Sequence, residues 1–264
     1  CTSADVAKSA LIGGASVGIA AFGVAQASVT GSGGMFRILG VAICVIAFSI
    51  GGVSAGVSDY YNLKKPSGVG PYPAVLLVPG CSGFTNASRS FYGDYGNKLV
   101  AAGFVVIEID YLRPRNLVNC ITLDGTKFFL GLTDVAADIA QGIGDLEKNP
   151  IVDRTRINLL GFSFGGGGVL EAMANPSTKA KLHSVVAYYP LCVNLDPWDG
   201  TVRSLLLVGG QDKVAPPELC RAVAGKAANQ GNTKIVEFAD AYHAFDAFAL
   251  PPQGIRLGPG MMIY

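Results

Sequence analysis

The chain reads as an α/β protein, a mostly parallel sheet with helices on both faces, and three observations predict it. Short apolar runs alternate with helix-patterned stretches from residue 74 onward. A serine flanked by glycines, in Gly161-Phe162-Ser163-Phe164-Gly165, stands where one such run meets a helical stretch. The 264 residues suit one domain of this class plus an N-terminal appendage.

The appendage is residues 1–57, which hold only Asp5, Lys8 and Arg37 among the charged side chains. Ala10 to Val29 and Ile38 to Val57 are each long and apolar enough to span a bilayer. The second also has the plan of an export signal: Met35 and Arg37, an apolar run from Ile38 to Ile50, and Val53-Ser54-Ala55 as a small-residue cleavage site. On that reading Met35 is the start and residues 1–34 are upstream sequence; the alternative is an uncleaved membrane anchor. Export to the periplasm or medium is the expected localisation, and the N-terminal stretch is the expected point of any membrane contact.

Residues 58–264 make up the expected domain. Breakers at Pro66-Ser67-Gly68 and Gly70-Pro71 leave room for one short strand near Tyr60 to Leu63. Ala74 to Val78, continuously apolar, fits a strand covered on both faces. A helix over Phe91 to Ala102, a strand over Phe104 to Ile109 and a helix over Thr133 to Lys148 follow. Ile157 to Leu160 is the strand before Ser163, and Gly165 to Gly168 leads to a helix over Val169 to Ala174. Strands over His183 to Tyr189, Arg203 to Val208 and Lys234 to Phe238, with a helix over Pro217 to Asn229, complete the alternation.

Twenty basic and 19 acidic side chains give a net charge of +1 with no run of one sign, which argues against a nucleic-acid partner. In parallel sheets, ligands sit at the carboxyl ends of strands. Three chemistry-bearing residues fall there: Ser163, Asp212 in Gly209-Gly210-Gln211-Asp212, and His243 in Tyr242-His243-Ala244-Phe245-Asp246. A serine hydroxyl is a weak nucleophile, so it needs a histidine to take its proton and an acid to hold that histidine. With only two histidines in the chain, and His183 opening a strand ahead of the acid, His243 is the expected base. Asp246 is read as ordering the histidine loop and Asp110 as structural. Backbone N–H groups of Phe164 and of the Gly80 to Ser82 loop, chiefly Cys81, are the expected oxyanion donors.

These residues resemble the dienelactone hydrolase family of α/β-hydrolases, from about Tyr60 to the C-terminus. The carriers are Pro71 to Gly83 (PYPAVLLVPGCSG), Ala101 to Val106 (AAGFVV), Val152 to Ile157 (VDRTRI), the Ser163 motif, Gln211-Asp212 and Tyr242 to Asp246 (YHAFD). The separations, 49 residues from Ser163 to Asp212 and 31 from there to His243, are similar to that family's and leave no room for a large cap domain. The resemblance implies hydrolysis of a small ester or lactone through an acyl-enzyme, with no metal or organic cofactor. Three departures stand out: Ser163 where type members carry Cys, Pro79 where many relatives have His, and altered ends. At those ends the hydrophobic stretch replaces the family's first strand, and the closing helix is expected to be missing from a C-terminally truncated frame.

Cys81, Cys120, Cys192 and Cys220 lie in the expected domain, an even number after an export signal, which suggests disulfides. Cys81 pairs with Cys120 on the expectation that both lie in loops near the active edge, and Cys192 with Cys220 because they follow neighbouring strands. Four independent thiols are the alternative. No C-x-x-C occurs, so a metal site is not expected. Two other functions use the same domain: acyl transfer by the same triad, and a membrane-tethered binding domain without turnover. Tyr60, Phe84, Arg113, Arg115, Tyr189 and Trp198 are possible cleft residues, and oligomeric state is left open.

Overall fold

The computed structural model describes residues 61–86, 88–121, 127–226, 230–247, 255–258 and 261–263. The stretch read as export signal or anchor therefore lies outside the described residues, as does Tyr60. Among the described residues no helix is long and apolar enough to cross a membrane.

Seven strands form one sheet in the order β1-β3-β2-β4-β5-β6-β7. They are β1 (Tyr61–Lys64), β2 (Tyr72–Val78), β3 (Val105–Ile109), β4 (Val152–Phe162), β5 (Leu182–Tyr188), β6 (Arg203–Gly209) and β7 (Thr233–Phe238). Only β1 pairs antiparallel, with β3. The helices are α1 (Arg89–Ala101), α2 (Leu132–Lys148), α3 (Phe164–Ala174), α4 (Pro176–Lys179) and α5 (Pro217–Ala224). Two short antiparallel strands near the end, β8 (Ile255–Gly258) and β9 (Met261–Ile263), make a separate hairpin.

Strand β2 shows why both faces need covering. Its side chains alternate across the sheet: Ala74, Leu76 and Val78 enter the larger core with Val135, Ile139 and Ile143 of α2 and Leu170 and Met173 of α3. Val75 and Leu77 enter the other core, with Tyr92 of α1. A five-residue apolar run is therefore buried on both sides, as its composition predicts.

The glycine run departs from expectation. Helix α3 starts at Phe164 and takes in all four glycines, not only Val169 to Ala174. Glycine costs about 1 kcal/mol relative to alanine inside a helix, so local propensity argues for a later start. Tertiary packing overrides it: a Cβ on Gly165 would lie 2.2 Å from the Pro79 carbonyl oxygen, and one on Gly161 would lie 2.5 Å from that of Gly165. The helix start is pressed against the ends of β2 and β4, and only bare backbone fits.

Both cysteine pairs are disulfides, Cys81–Cys120 and Cys192–Cys220, closing separations of 39 and 28 residues. Chain-entropy loss in the unfolded state makes each worth about 3–4 kcal/mol. Replacing Cys192 and Cys220 together by Ala should lower Tm by roughly 10 °C. Calorimetry under non-reducing conditions checks this, and an unchanged Tm would show that this pair contributes nothing.

Candidate active site

Ser163 stands between β4 and α3 with φ 52° and ψ −116°. A non-glycine residue in such a conformation stores about 1–3 kcal/mol and persists only when its neighbours over-determine it. They do: Ser163 N–H donates to Tyr188 O at 2.9 Å, and its carbonyl accepts from Gly167 N–H at 2.9 Å and Leu191 N–H at 3.1 Å. The side chain projects from the end of β4, at the N-terminus of α3, where unpaired amides favour negative charge.

The loops after β6 and β7 bring the other two residues to it. Asp212 and His243 are buried, at 4 % and 6 % exposure. Asp212 Oδ1 accepts from Val214 N–H at 2.9 Å and Ala215 N–H at 2.8 Å, which orients the carboxylate. Its Oδ2 lies 2.7 Å from His243 Nδ1, and His243 Nε2 lies 2.8 Å from Ser163 Oγ. An ionised carboxylate only accepts, so it selects the tautomer with the proton on Nδ1 and leaves Nε2 to accept from the serine hydroxyl.

The imidazole is held from behind. Tyr189 packs edge-on against it, with ring centroids 4.9 Å apart. The Tyr189 hydroxyl donates to Asp246 Oδ1 at 2.8 Å and the Tyr95 hydroxyl donates to Oδ2 at 2.7 Å. Burial, reinforced by the Asp246 charge, pushes both phenols up, so both remain donors. Asp246 thus ties the histidine loop to α1 and to the end of β5. Tyr189 is buried beneath the histidine and does not line an open cleft.

Other residues weighed in the sequence take structural places. Asp110 Oδ1 accepts from Leu112 N–H and Arg113 N–H, closing the turn after β3. Arg115 forks onto Asp138, at 2.6 and 3.1 Å, and its guanidinium also donates to Tyr111 O. Burial pushes the Asp138 carboxyl up against the pull of that guanidinium. Trp198 is buried and donates to Thr233 Oγ1. His183 lines a cleft of about 590 Å3 with Arg156 and Arg203, at the strand ends opposite Ser163. That cleft is remote from the Ser163–His243–Asp212 arrangement.

The loop carrying Cys81 follows β2 at the same edge as Ser163. A Cβ on Gly80 would lie 3.4 Å from Ser163 Cβ, so the two segments touch. Phe128 stacks on Phe164 with centroids 5.2 Å apart and is half exposed; Tyr242, beside His243, is 42 % exposed. Phe128 carried no signal in the sequence, because only the folded loop before α2 lays it on Phe164.

This sheet, and the edge on which the three residues converge, define an α/β-hydrolase fold. A family model described as PET hydrolase-like (PETase) matches residues 22–251, and the chain belongs to that family. It is similar to a Bradyrhizobium protein described as a probable 2-oxo-3-(5-oxofuran-2-ylidene)propanoate lactonase, 26% identical over 130 residues, 48% of this chain and 51% of that one. It is also similar to cutinase est1 of Thermobifida alba, 28% identical over 145 residues, 55% of this chain and 44% of that one. The chain thus spans about half the length of the curated relatives it matches. Among solved structures, the dienelactone hydrolase of Anabaena variabilis superposes with TM-score 0.51 at 20% identity, covering 70% of this chain and 82% of that one. Est1E of Butyrivibrio proteoclasticus does so with TM-score 0.52 at 16% identity, covering 70% and 86%. The dienelactone-hydrolase-like fold expected from the motifs is the one found.

Proposed function

We propose that the protein is a serine hydrolase that cleaves carboxylic esters or lactones through an acyl-enzyme, with Ser163, His243 and Asp212 as its triad. The observation that carries the reading is the unbroken hydrogen-bonded line from Ser163 Oγ through the imidazole to the Asp212 carboxylate. It is anchored on a strained serine that serves as a nucleophile elbow.

In this reading His243 Nε2 takes the hydroxyl proton as Ser163 Oγ attacks the ester carbonyl carbon. Asp212 stabilises the imidazolium that forms. The negative oxygen of the tetrahedral intermediate accepts from the backbone N–H groups of Cys81 and Phe164, one such donor being worth about 3 kcal/mol. The intermediate collapses, the ester C–O bond breaks, and His243 returns its proton to the departing alkoxide. Water then repeats the cycle on the acyl-enzyme and releases the acid.

The half-exposed ring of Phe128, stacked on Phe164 beside Ser163, favours an apolar group near the scissile bond. Similarity to proteins named as a lactonase and a cutinase supports the ester and lactone class. Two disulfides support an oxidising compartment, and so an exported protein with residues 1–57 acting as its signal or anchor.

Labelling with a fluorophosphonate probe, followed by peptide mapping, tests the assignment. The expected outcome is modification confined to Ser163 in wild type and lost in His243→Ala. A folded wild-type protein that takes up no probe would contradict the reading.

A further inference from the structure

Gly80 and Cys81 present four backbone polar groups at the active edge, and three of them are occupied. Gly80 N–H donates to the Tyr92 hydroxyl oxygen at 2.8 Å. The Gly80 carbonyl accepts from the Tyr111 hydroxyl at 2.6 Å and from Gly83 N–H at 2.9 Å. The Cys81 carbonyl accepts from Cys120 N–H at 2.9 Å. Cys81 N–H has no hydrogen-bond partner among the described residues.

A trans peptide is planar, so the Gly80 C=O and the Cys81 N–H lie in one plane and point in opposite directions. Whatever holds the carbonyl also aims the amide. Donation to that carbonyl further polarises the peptide and strengthens the N–H on its far side, by roughly 10–30%.

We propose that Tyr111 and Tyr92 are positioning residues that hold the two peptides on either side of Gly80, Tyr111 the Gly80–Cys81 peptide and Tyr92 the Pro79–Gly80 peptide before it, so that the Cys81 amide is fixed in advance for the oxyanion. The inference rests on the reading of Ser163 as the nucleophile. Tyr111 carries the larger share because it reaches both donors: its hydroxyl holds Gly80, and its ring lies against Phe164, with centroids 6.2 Å apart. It is fully buried at the end of β3. Burial pushes its hydroxyl well up, so it remains a donor across the working range. Tyr92 of α1, pushed up to about 12 by burial, holds the N–H side of Gly80.

Preorganised donors act on the transition state more than on bound substrate. The loss should therefore appear in kcat and in the affinity of a tetrahedral mimic, not in KM. Tyr111→Phe keeps the ring against Phe164 and leaves the Gly80 carbonyl with Gly83 N–H alone. With p-nitrophenyl butyrate as substrate, kcat should fall about tenfold with KM within about twofold. The Ki of a trifluoromethyl ketone should rise by a similar factor, with Tm little changed. Tyr92→Phe should shift kcat and Ki in the same direction by a smaller factor, and it serves alone if Tyr111→Phe does not fold. A purely structural role would lower Tm and leave Ki unchanged. Wild-type kcat and Ki in either folded variant, measured beside an active wild type, would overturn the inference. A folded wild type inert to ester and to fluorophosphonate would instead overturn the serine-hydrolase reading beneath it.

Discussion

Ser163→Ala is expected to lower kcat for a p-nitrophenyl ester by roughly 10^5-fold or more and to abolish the burst of p-nitrophenol. In the proposed mechanism the effect is this large because the serine, its base and its acid act as one unit: without Oγ no acyl-enzyme forms and His243 has nothing to deprotonate except solvent. What survives is binding and whatever the Cys81 and Phe164 amides contribute to a direct attack by water. The fold should not suffer. Alanine at φ 52° carries the same Cβ clash as serine, and the three backbone hydrogen bonds that hold position 163 do not involve the side chain. Stopped-flow release of p-nitrophenol and circular dichroism, taken together, check this. A folded variant keeping a hundredth of wild-type turnover would move the nucleophile elsewhere.

Asp212→Asn should cost about 10^4-fold in kcat while barely moving Tm, since it exchanges one atom. The derivation turns on the two oxygens of Asp212. Oδ1 is committed to the amides of Val214 and Ala215, so the carbonyl oxygen of asparagine takes that place and its NH2 faces His243. A donor opposite Nδ1 demands an imidazole with its proton on Nε2. That proton then points at Ser163 Oγ, and the base can no longer accept. Activity measured across pH together with a thermal melt checks it. Turnover within tenfold of wild type would leave Asp212 as a turn residue, its side chain capping the two amides after β6 and nothing more.

The two predictions differ in how much of their basis is visible before folding. Ser163 is legible because glycines on either side and an apolar run before it make a local pattern. Asp212 and His243 are legible because each follows an apolar run that must be a parallel strand. The strands themselves could be read to within a few residues, β2 as Tyr72–Val78 against an expected Ala74 to Val78. In each case the information is carried by neighbours in sequence, where a period of two, a breaker or a glycine has an immediate steric meaning.

Other features depend on contacts between distant positions. The helical start at Phe164 goes against the propensity of four glycines, and it stands because α3 presses on Pro79, 85 positions before Phe164 in the chain. Asp246 reaches Tyr95 across 151 residues, Tyr111 reaches Gly80 across 31, and Phe128 meets Phe164 only by way of the loop before α2. By type alone, no residue in these pairs differs from an ordinary core aromatic, loop glycine or turn aspartate. Amino-acid pattern alone therefore sufficed for the strand alternation and the order of Ser163, Asp212 and His243, whereas the expected pairing of four cysteines, with free thiols as its alternative, became two disulfides only in the fold. The support beneath them, the hydroxyls of Tyr92, Tyr95, Tyr111 and Tyr189 and a helix start forced by close packing, depends on the chain's return path through space, which propensity and periodicity do not encode.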